Sequence, residues 1–411
     1  MSSKSLPQLP KLNHPDEAID RVCGLLQPVS AESIAQQTAA GRVLAERILT
    51  DRPSPPLDVS AMDGFAMRFA DLTQEPIAIG GTSQAGHAAP ELLPGQAVRI
   101  FTGAPVPTGA DLVLKREDTF EQSQQFELKI ERSLIRAGQN IRRRGENAPL
   151  GCDVLSASIA IGPAQMVALA TFASSQVNVF RRVRTAIVNT GDELIEGGAP
   201  ALPWQIRDSN GPLLETLIRK RDWLDLTSRS RVADQAETLT RHLDEQLKGN
   251  DAILLTGGVS MGDTDHVPHV LRQLGATIVF HKLPIRPGKP ILGAIGPQGQ
   301  AIIGLPGNPV SVAATALRIA FPILKYLAGF RDIAPDFMPV ELLEPDQKSI
   351  PLHWYRPVQF CRSTSAERTQ VRLTPNLGSG DVVALSASEA FIEIPVDQAT
   401  HAGPWKCFRI E

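Results

Sequence analysis

Cysteine is scarce in this 411-residue chain: Cys23, Cys152, Cys361 and Cys407 are scattered, with no Cys-x-x-Cys pair among them. That spacing argues against a thiolate zinc site or a disulfide framework and fits a reducing cytoplasm. Two tyrosines and four tryptophans leave little for an aromatic platform on which single-stranded nucleic acid would stack. An excess of one charge is also lacking. The 41 Lys and Arg nearly balance the 44 Asp and Glu, and a net charge of -3 gives no reason to expect nucleic acid or an anionic membrane as partner. No stretch approaches 18 uncharged apolar residues, so no transmembrane helix is expected. The opening MSSKSLPQLPKLNHPDE has no apolar core of a signal peptide and reads as a polar lead-in. There is no Gly-x-Ser-x-Gly elbow, no Ser–His–Asp set that spacing can assemble, no internal repeat and no coiled coil.

What is present is ample apolar material, 42% of residues, in a chain long enough for two to four domains. Residues 14–49 read as helical, with Pro15 in a first-turn position before DEAIDRVCGLL and AESIAQQTAAGRVLAERI. Between 75 and 150 short β-rich runs (PIAIGG, AVRIFTG, DLVLKRED, QFELKI) are divided by Gly and Pro, as in a small β domain. PAQMVALATFA (163–173) returns to helix behind Pro163, so the β segment reads as an insertion into a helical domain. From 181 to 330 strand and helix patterns alternate: TAIVNT before GPLLETLIRKR, LDLTSRSRV before DQAETLTRHLDEQLKG, AILLT before HVPHVLRQLG, AIIGL before PGNPVSVAATALRIAFPILKYL. Apolar strands in that alternation imply a parallel sheet covered on both faces. From about 338 six strand-like runs follow (MPVELLE, WYRPVQFC, QVRLTP, VVALSA, AFIEIP, KCFRIE), predicting a small all-β C-terminal domain.

Three strands of the α/β region run into glycine-containing loops: NTGDEL (189–194), TGGVSMGDTDH (256–266) and LPGNPVS (305–311). Ligands of open α/β sheets bind outside the carboxyl ends of the strands, so three such loops point to one pocket. The second nearly spells a phosphate loop. Gly257, Gly262 and Thr264 fit Gly-x4-Gly-Lys-[Ser/Thr], but Asp263 replaces the lysine and Asp265 follows. Carboxylates beside phosphates make sense when Mg²⁺ lies between them. The same aspartates would also serve as caps of the helix at 265–274. PIRPGKP (284–290) stiffens Arg286 and Lys289 with prolines, either to present cations to an oxyanion or simply to connect strands. QNIRRRGEN (139–147), with Arg132 and Arg136 before it, has the composition of a solvated basic face, and DVSAMDGFAM (58–67) that of a turn. His266 and His269 lack the Cys or Glu partners of a metal motif and read as surface.

Taken together, SAMDG, IRRRGE, NTGDEL, IRDSN (206–210), TGGVSMGD, RPGKP, LPGNPVS and LGSG (377–380) resemble, in order, the motifs of the MoeA family. These are the molybdopterin molybdenumtransferases, akin to the C-terminal E domain of gephyrin. The resemblance runs from about residue 12 to the C-terminus. It implies a multidomain α/β plus β fold in four parts: a discontinuous helical domain I (12–50 and 148–180), an inserted β-rich domain II (51–147), a MogA-like doubly wound, molybdopterin-binding α/β domain III (181–330) and a small C-terminal β-barrel domain IV (331–411). It further implies a cytoplasmic homodimer that inserts molybdenum from molybdate into adenylylated molybdopterin, with Mg²⁺ and with release of AMP, binding neither nucleic acid nor membrane. Carried over position by position, the resemblance assigns catalytic work to Asp63, Glu193, Asp208 and Asp263, with Glu193 and Asp263 at the metal. Substrate binding falls to Thr190, Gly191, Asp192, Ser209, Asn210, Gly257, Gly258, Ser260, Gly262, Pro306, Gly307, Asn308 and Pro309. Molybdate binding falls to Arg286, Lys289, Pro290, Arg362 and Ser379. Asp63 is expected to reach the cleft from the partner subunit.

The chain departs from the family pattern at three places: Asn147 where aspartate closes R-R-R-G-E-D, Phe65 where tyrosine is common, and His266 where another aromatic often stands. An amide at 147 still hydrogen-bonds but cannot balance a cation's charge or take a proton. Two other readings follow. One is a weakly active or non-catalytic paralogue that binds the pterin nucleotide as a scaffold. The other is a molybdopterin adenylyltransferase, against which stand the V-S-M-G-D loop and the flanking domains.

Overall fold

The computed structural model describes residues 11–73, 75–172, 175–259, 266–347, 349–361 and 368–410. By its contacts the chain divides into two compact units, one of residues 1–46, 157–163 and 176–411, the other of 47–156 and 164–175.

The larger unit is built on a six-stranded sheet in the order Leu224–Val232, Val183–Thr190, Ala252–Thr256, Ala301–Leu305, Leu292–Ile295, Thr277–His281. The first four strands are parallel, and Leu292–Ile295 pairs antiparallel with both its neighbours, Ala301–Leu305 and Thr277–His281. The expected parallel sheet therefore has an antiparallel edge, because the chain between Thr277–His281 and Leu292–Ile295 holds the proline-rich RPGKP loop and no crossover helix. Successive residues of the central strands serve opposite faces. Ile187, Leu254 and Ile303 pack with Leu214, Leu217 and the buried residues of 310–328. Val188, Ile253, Leu255 and Ile302 pack with Leu239, Leu243, Leu247, Val270 and Leu271. Such strands read as unbroken apolar runs because both faces are covered, and each fully buried aliphatic side chain contributes about 1.5–3 kcal/mol.

The segment 309–327 forms one continuous helical run, α-helical at Pro309–Thr315 and Phe321–Leu327 and π-helical at Ala316–Ala320. It is the one helix, among the described residues, long and apolar enough to cross a bilayer. With 89% of its apolar window buried in the protein, it is a core helix.

Strands Met338–Leu342, His353–Phe360, Gln370–Leu373, Ala390–Ile394 and Trp405–Arg409 close into a five-stranded barrel, since His353–Phe360 pairs with both Gln370–Leu373 and Ala390–Ile394. Ile285–Arg286 adds to its rim by parallel pairing with His353–Trp354.

Two sequence expectations fail. The helix expected over 14–49 exists only at Pro15–Cys23, where His14 accepts the Asp16 N–H at its start and Gly24 follows its end. Ala31–Ala35 is instead a strand, antiparallel to Gln176–Phe180, which also pairs with Val43–Leu44. Non-local pairing overrides the helix propensity of an Ala- and Gln-rich run. VVALSA, expected as a strand, forms the helix Val382–Ser386, because Asp381 caps it by accepting from the Ala384 N–H at 2.9 Å.

The smaller unit carries a six-stranded sheet, Leu112–Lys115, Gly64–Met67, Gln96–Ile100, Ile77–Ser83, Gln125–Leu128 and Thr119–Gln122 in order. Phe65 stacks on Phe126 in its core, 4.2 Å between ring centroids. Phe65 is fully buried, so a phenol hydroxyl there would need a buried partner.

Candidate functional site

At the carboxyl ends of the parallel strands of the larger unit, the three glycine loops meet backbone to backbone. Gly257 follows Ala252–Thr256 at φ +84°, and a Cβ there would lie 2.2 Å from the Thr190 carbonyl oxygen. Only glycine tolerates both the conformation and the approach. Gly307, after Ala301–Leu305, sits over Gly257: its own missing Cβ would be 3.9 Å from the Gly257 Cα. Asn210 Nδ2 donates to the Gly307 carbonyl at 2.6 Å, joining the IRDSN segment to the same cluster.

Buried polar groups hold this cluster rigid. Thr256 Oγ1 donates to Asn189 Oδ1 at 2.8 Å, and Asn189 Nδ2 donates to Asp208 Oδ2 at 2.8 Å. Asp208 Oδ1 accepts the Gly211 N–H at 2.9 Å, at the start of the helix Asn210–Arg219, while Arg229 lies 3.6 Å from Oδ2. Both oxygens of Asp208 are thus engaged by the protein, and it holds the loops in place for ligand. Asp192 and Glu193 are exposed; Asp192 Oδ1 accepts the Asp234 N–H at 3.0 Å, and the Glu193 carboxylate lies against the Gly191 backbone. Thr190 Oγ1 donates to Asp234 Oδ1 at 3.3 Å. These carboxylates give the strand ends hard oxygen donors of the kind Mg²⁺ prefers. Ser260, Gly262, Asp263, Asp265 and Arg362 lie outside the described residues.

Beside the loops, between the α/β sheet and the barrel, lies a cavity of about 720 Å³. Arg286, Lys289, Pro290, Pro306, Gly307, Asn308 and Ser379, seven of the residues singled out from sequence, line it. The LPGNP and LGSG loops are fastened together there: Asn308 Nδ2 donates to Ser379 Oγ at 2.7 Å, and the Val310 N–H donates to the Ser379 carbonyl at 3.0 Å. Pro309 occupies the first helical turn, and Gly258 and Ser209 stand in the adjoining loops. The sequence did not mark Trp354, Arg356 or Asn376. Arg286 and Arg356 both stack over the Trp354 ring, 5.4 and 4.2 Å from its centroid, and Arg356 also pairs with Asp346. For Trp354 and Arg356 the only signal was the RPGKP loop, which could not reveal that a parallel bridge brings it against His353–Trp354, while Asn376 directly precedes LGSG. None of the described residues lining the cavity is Asp or Glu. A carboxylate-free cavity with two exposed cations and several amide and hydroxyl groups suits an oxyanion.

In the smaller unit, Asp63 Oδ1 accepts the Thr102 N–H at 2.7 Å and the Thr102 hydroxyl at 2.8 Å, which hold its carboxyl below the usual range and keep it ionised. Gly64 must follow, since a Cβ there would sit 1.7 Å from the Leu114 carbonyl oxygen. The basic run is tied by ion pairs rather than freely solvated. Arg142 donates to Glu146 and to Asn147 Oδ1, each at 2.7 Å, and Asp58 accepts from the Arg143 side chain at 2.7 Å and the Arg144 N–H at 2.8 Å. Asn147 therefore keeps an acceptor for Arg142 while lacking the charge.

Comparison with known proteins decides the family. Residues 14–173 match the MoeA N-terminal region (domain I and II), and residues 186–326 match a probable molybdopterin binding domain. The chain is 35% identical over 300 residues to the molybdopterin molybdenumtransferase of Nostoc sp., covering 71% of this chain and 68% of that one. The chain belongs to the molybdopterin molybdenumtransferase family. The Haemophilus influenzae member is 34% identical over 306 residues, 74% of each chain, and a Staphylococcus aureus member 29% identical over 396 residues, 92% of this chain and 90% of that one. Among solved structures, a molybdopterin biosynthesis MoeA protein from Pyrococcus horikoshii OT3 superposes with a TM-score of 0.80 at 24% identity, covering 97% of this chain and all of that one. At that identity the likeness speaks for the fold.

Proposed function

We propose that the chain inserts molybdenum from molybdate into adenylylated molybdopterin and releases AMP, acting as a cytoplasmic homodimer. The observation that carries this reading is the cavity holding Arg286 and Lys289, with no Asp or Glu among its described lining residues, set beside the glycine loops of the strand ends, the first of which exposes Asp192 and Glu193. The cavity offers cations to one anionic substrate, and the carboxylates would hold a metal that screens the other. Molybdate, a dianion, would be held by Arg286, Lys289 and the Asn308–Ser379 pair. The pyrophosphate would lie along the Thr190–Gly191, Gly257–Gly258 and Gly307 backbones, where the missing side chains allow close approach. Mg²⁺, when bound by Glu193 and Asp263, would screen the phosphoanhydride and polarise its oxygens. Asp208 and Asn189 position the loops, and Asp63 is the ionised carboxylate of the smaller unit assigned to the cleft. Fixing both reactants in a rigid frame removes the entropic cost of bringing them together.

The test supplies purified protein with adenylylated molybdopterin, Mg²⁺ and molybdate and follows AMP and active cofactor. Molybdate-dependent AMP release is expected, with a weakened Mg²⁺ titration in Asp263→Asn. Tight nucleotide binding without turnover would replace this reading with the scaffold one, which Asn147 favours. Turnover of unmodified molybdopterin with ATP would replace it with adenylyl transfer.

A further inference from the structure

Behind that cavity, whose lining includes Tyr355, the larger unit buries a second group of chemically competent side chains. His14, just before the helix Pro15–Cys23, meets His353 of the barrel with ring centroids 4.5 Å apart and planes at 90°. Glu393, on the neighbouring barrel strand, brings Oε1 to 3.6 Å from His353 Nδ1. One ligand atom from each of the three residues lies within 4.8 Å of the others.

His353 is 6% exposed and Glu393 4%; His353 Nδ1 faces Glu393 Oε1 just beyond hydrogen-bond distance, and Arg318 Nη1 beside them has no hydrogen-bond partner among the described residues. Buried polar atoms are rarely left without a close partner, so this loosely made contact needs an explanation. The other half of the cluster is well ordered. Arg318 Nε donates to Glu393 Oε2 at 2.8 Å and Arg318 Nη2 to Asp16 Oδ1 at 2.5 Å. Arg318 therefore holds one carboxylate oxygen and leaves Oε1 as the free donor, which is how an outer partner orients a metal ligand. The Asp16 N–H donates to His14 Nδ1 at 3.1 Å and fixes that ring. Arg318 compensates the buried Glu393, and the half-exposed Asp16 adds a second carboxylate at the edge of the cluster. Arg318 also sits in the π-helical segment Ala316–Ala320, a local irregularity often found at functional sites.

We propose that His14, His353 and Glu393 form a transition-metal site, suited to Zn²⁺, that staples the N-terminal segment to the barrel. Two imidazoles and a carboxylate are a donor set that Zn²⁺ takes, with bonds of about 2.0–2.2 Å. His14, 40% exposed at its side chain, gives the ion its entry path. The fourth position is open to water or to the Tyr355 hydroxyl. The competing arrangement is a neutral His353 with its proton on Nδ1, which donates to Glu393 Oε1 and satisfies both atoms without a metal but leaves His14 without a role.

The test uses tag-free full-length protein stripped with a chelator. Titration with Co²⁺ should give the intense visible bands of a low-coordinate nitrogen-ligated site, Zn²⁺ should bind at one equivalent per chain and raise the melting temperature, and Zn²⁺ should displace Co²⁺. Both signals should persist in Glu193→Ala, which separates this site from the strand-end carboxylates. His14→Ala, at a half-exposed position, should fold and lose affinity at least about tenfold, and His353→Gln should lose it further. Absence of the cobalt bands, or unchanged Zn²⁺ affinity in His14→Ala, would overturn the proposal in favour of a His353 that simply donates its Nδ1–H to Glu393.

Discussion

Replacing Gly257 with alanine tests whether the candidate site depends on the glycine loops touching. The new Cβ meets the Thr190 carbonyl oxygen at 2.2 Å, and real Cβ contacts essentially never fall below 3.0 Å, so the two backbones must part by about 0.8 Å. Neither side can yield by rotating a side chain. The substitution also places alanine at φ +84°, a left-handed conformation that costs about 1–2 kcal/mol. Gly299 supplies the control: it has φ +85° but nothing within 4 Å of its added Cβ, so Gly299→Ala carries the conformational cost alone. Both variants should lose a few degrees of melting temperature, with Gly257→Ala losing more. Only Gly257→Ala should lose turnover, by about 100-fold, the penalty of a displacement near 1 Å in a positioned site. Molybdate-dependent AMP release and thermal melting on both proteins decide it. Equal turnover in the two would refute the idea that these loops form one ligand-binding frame.

Further outcomes follow from the same geometry. Arg286→Gln and Lys289→Gln should each raise the molybdate KM about tenfold with little change in kcat, and the effect should shrink as salt rises, since both cations are exposed. Asn147→Asp puts a full charge opposite Arg142, and a rise in turnover would show that the missing charge limits this protein, whereas equal rates would show that the acceptor alone suffices. Asp251 ends its loop in the grip of Arg181, at 2.6 and 2.8 Å, and of the Arg184 N–H at 2.8 Å. Burial pushes its carboxyl up, but these donors outweigh it and the net direction is below the usual 3.8. A depressed folded-state value means the stabilisation is complete above 3.8 and fades as pH falls through the lower value. Asp251→Asn should therefore cost about 2 kcal/mol at neutral pH and flatten the acid side of the stability profile below about pH 4, as measured by denaturant melts.

Much of the architecture was legible in the residues themselves. The unbroken apolar runs TAIVNT, AILLT and AIIGL announced strands buried on both faces, and the glycines that follow them announced loops pressed against one another. These are local requirements, of side-chain period and backbone freedom, and a chain displays them wherever it goes. The Ala31–Ala35 strand was not legible, because its conformation is set by Gln176–Phe180, far along the chain, against its own propensity. Trp354 and Arg356 were silent for a related reason: ordinary barrel residues became cavity walls only when Ile285–Arg286 paired with His353–Trp354. The same holds for the meeting of His14, Arg318, His353 and Glu393, four unremarkable positions in sequence. Periodicity and turn chemistry are written residue by residue, but proximity between distant segments exists only after the core has closed and its buried charges have had to find partners.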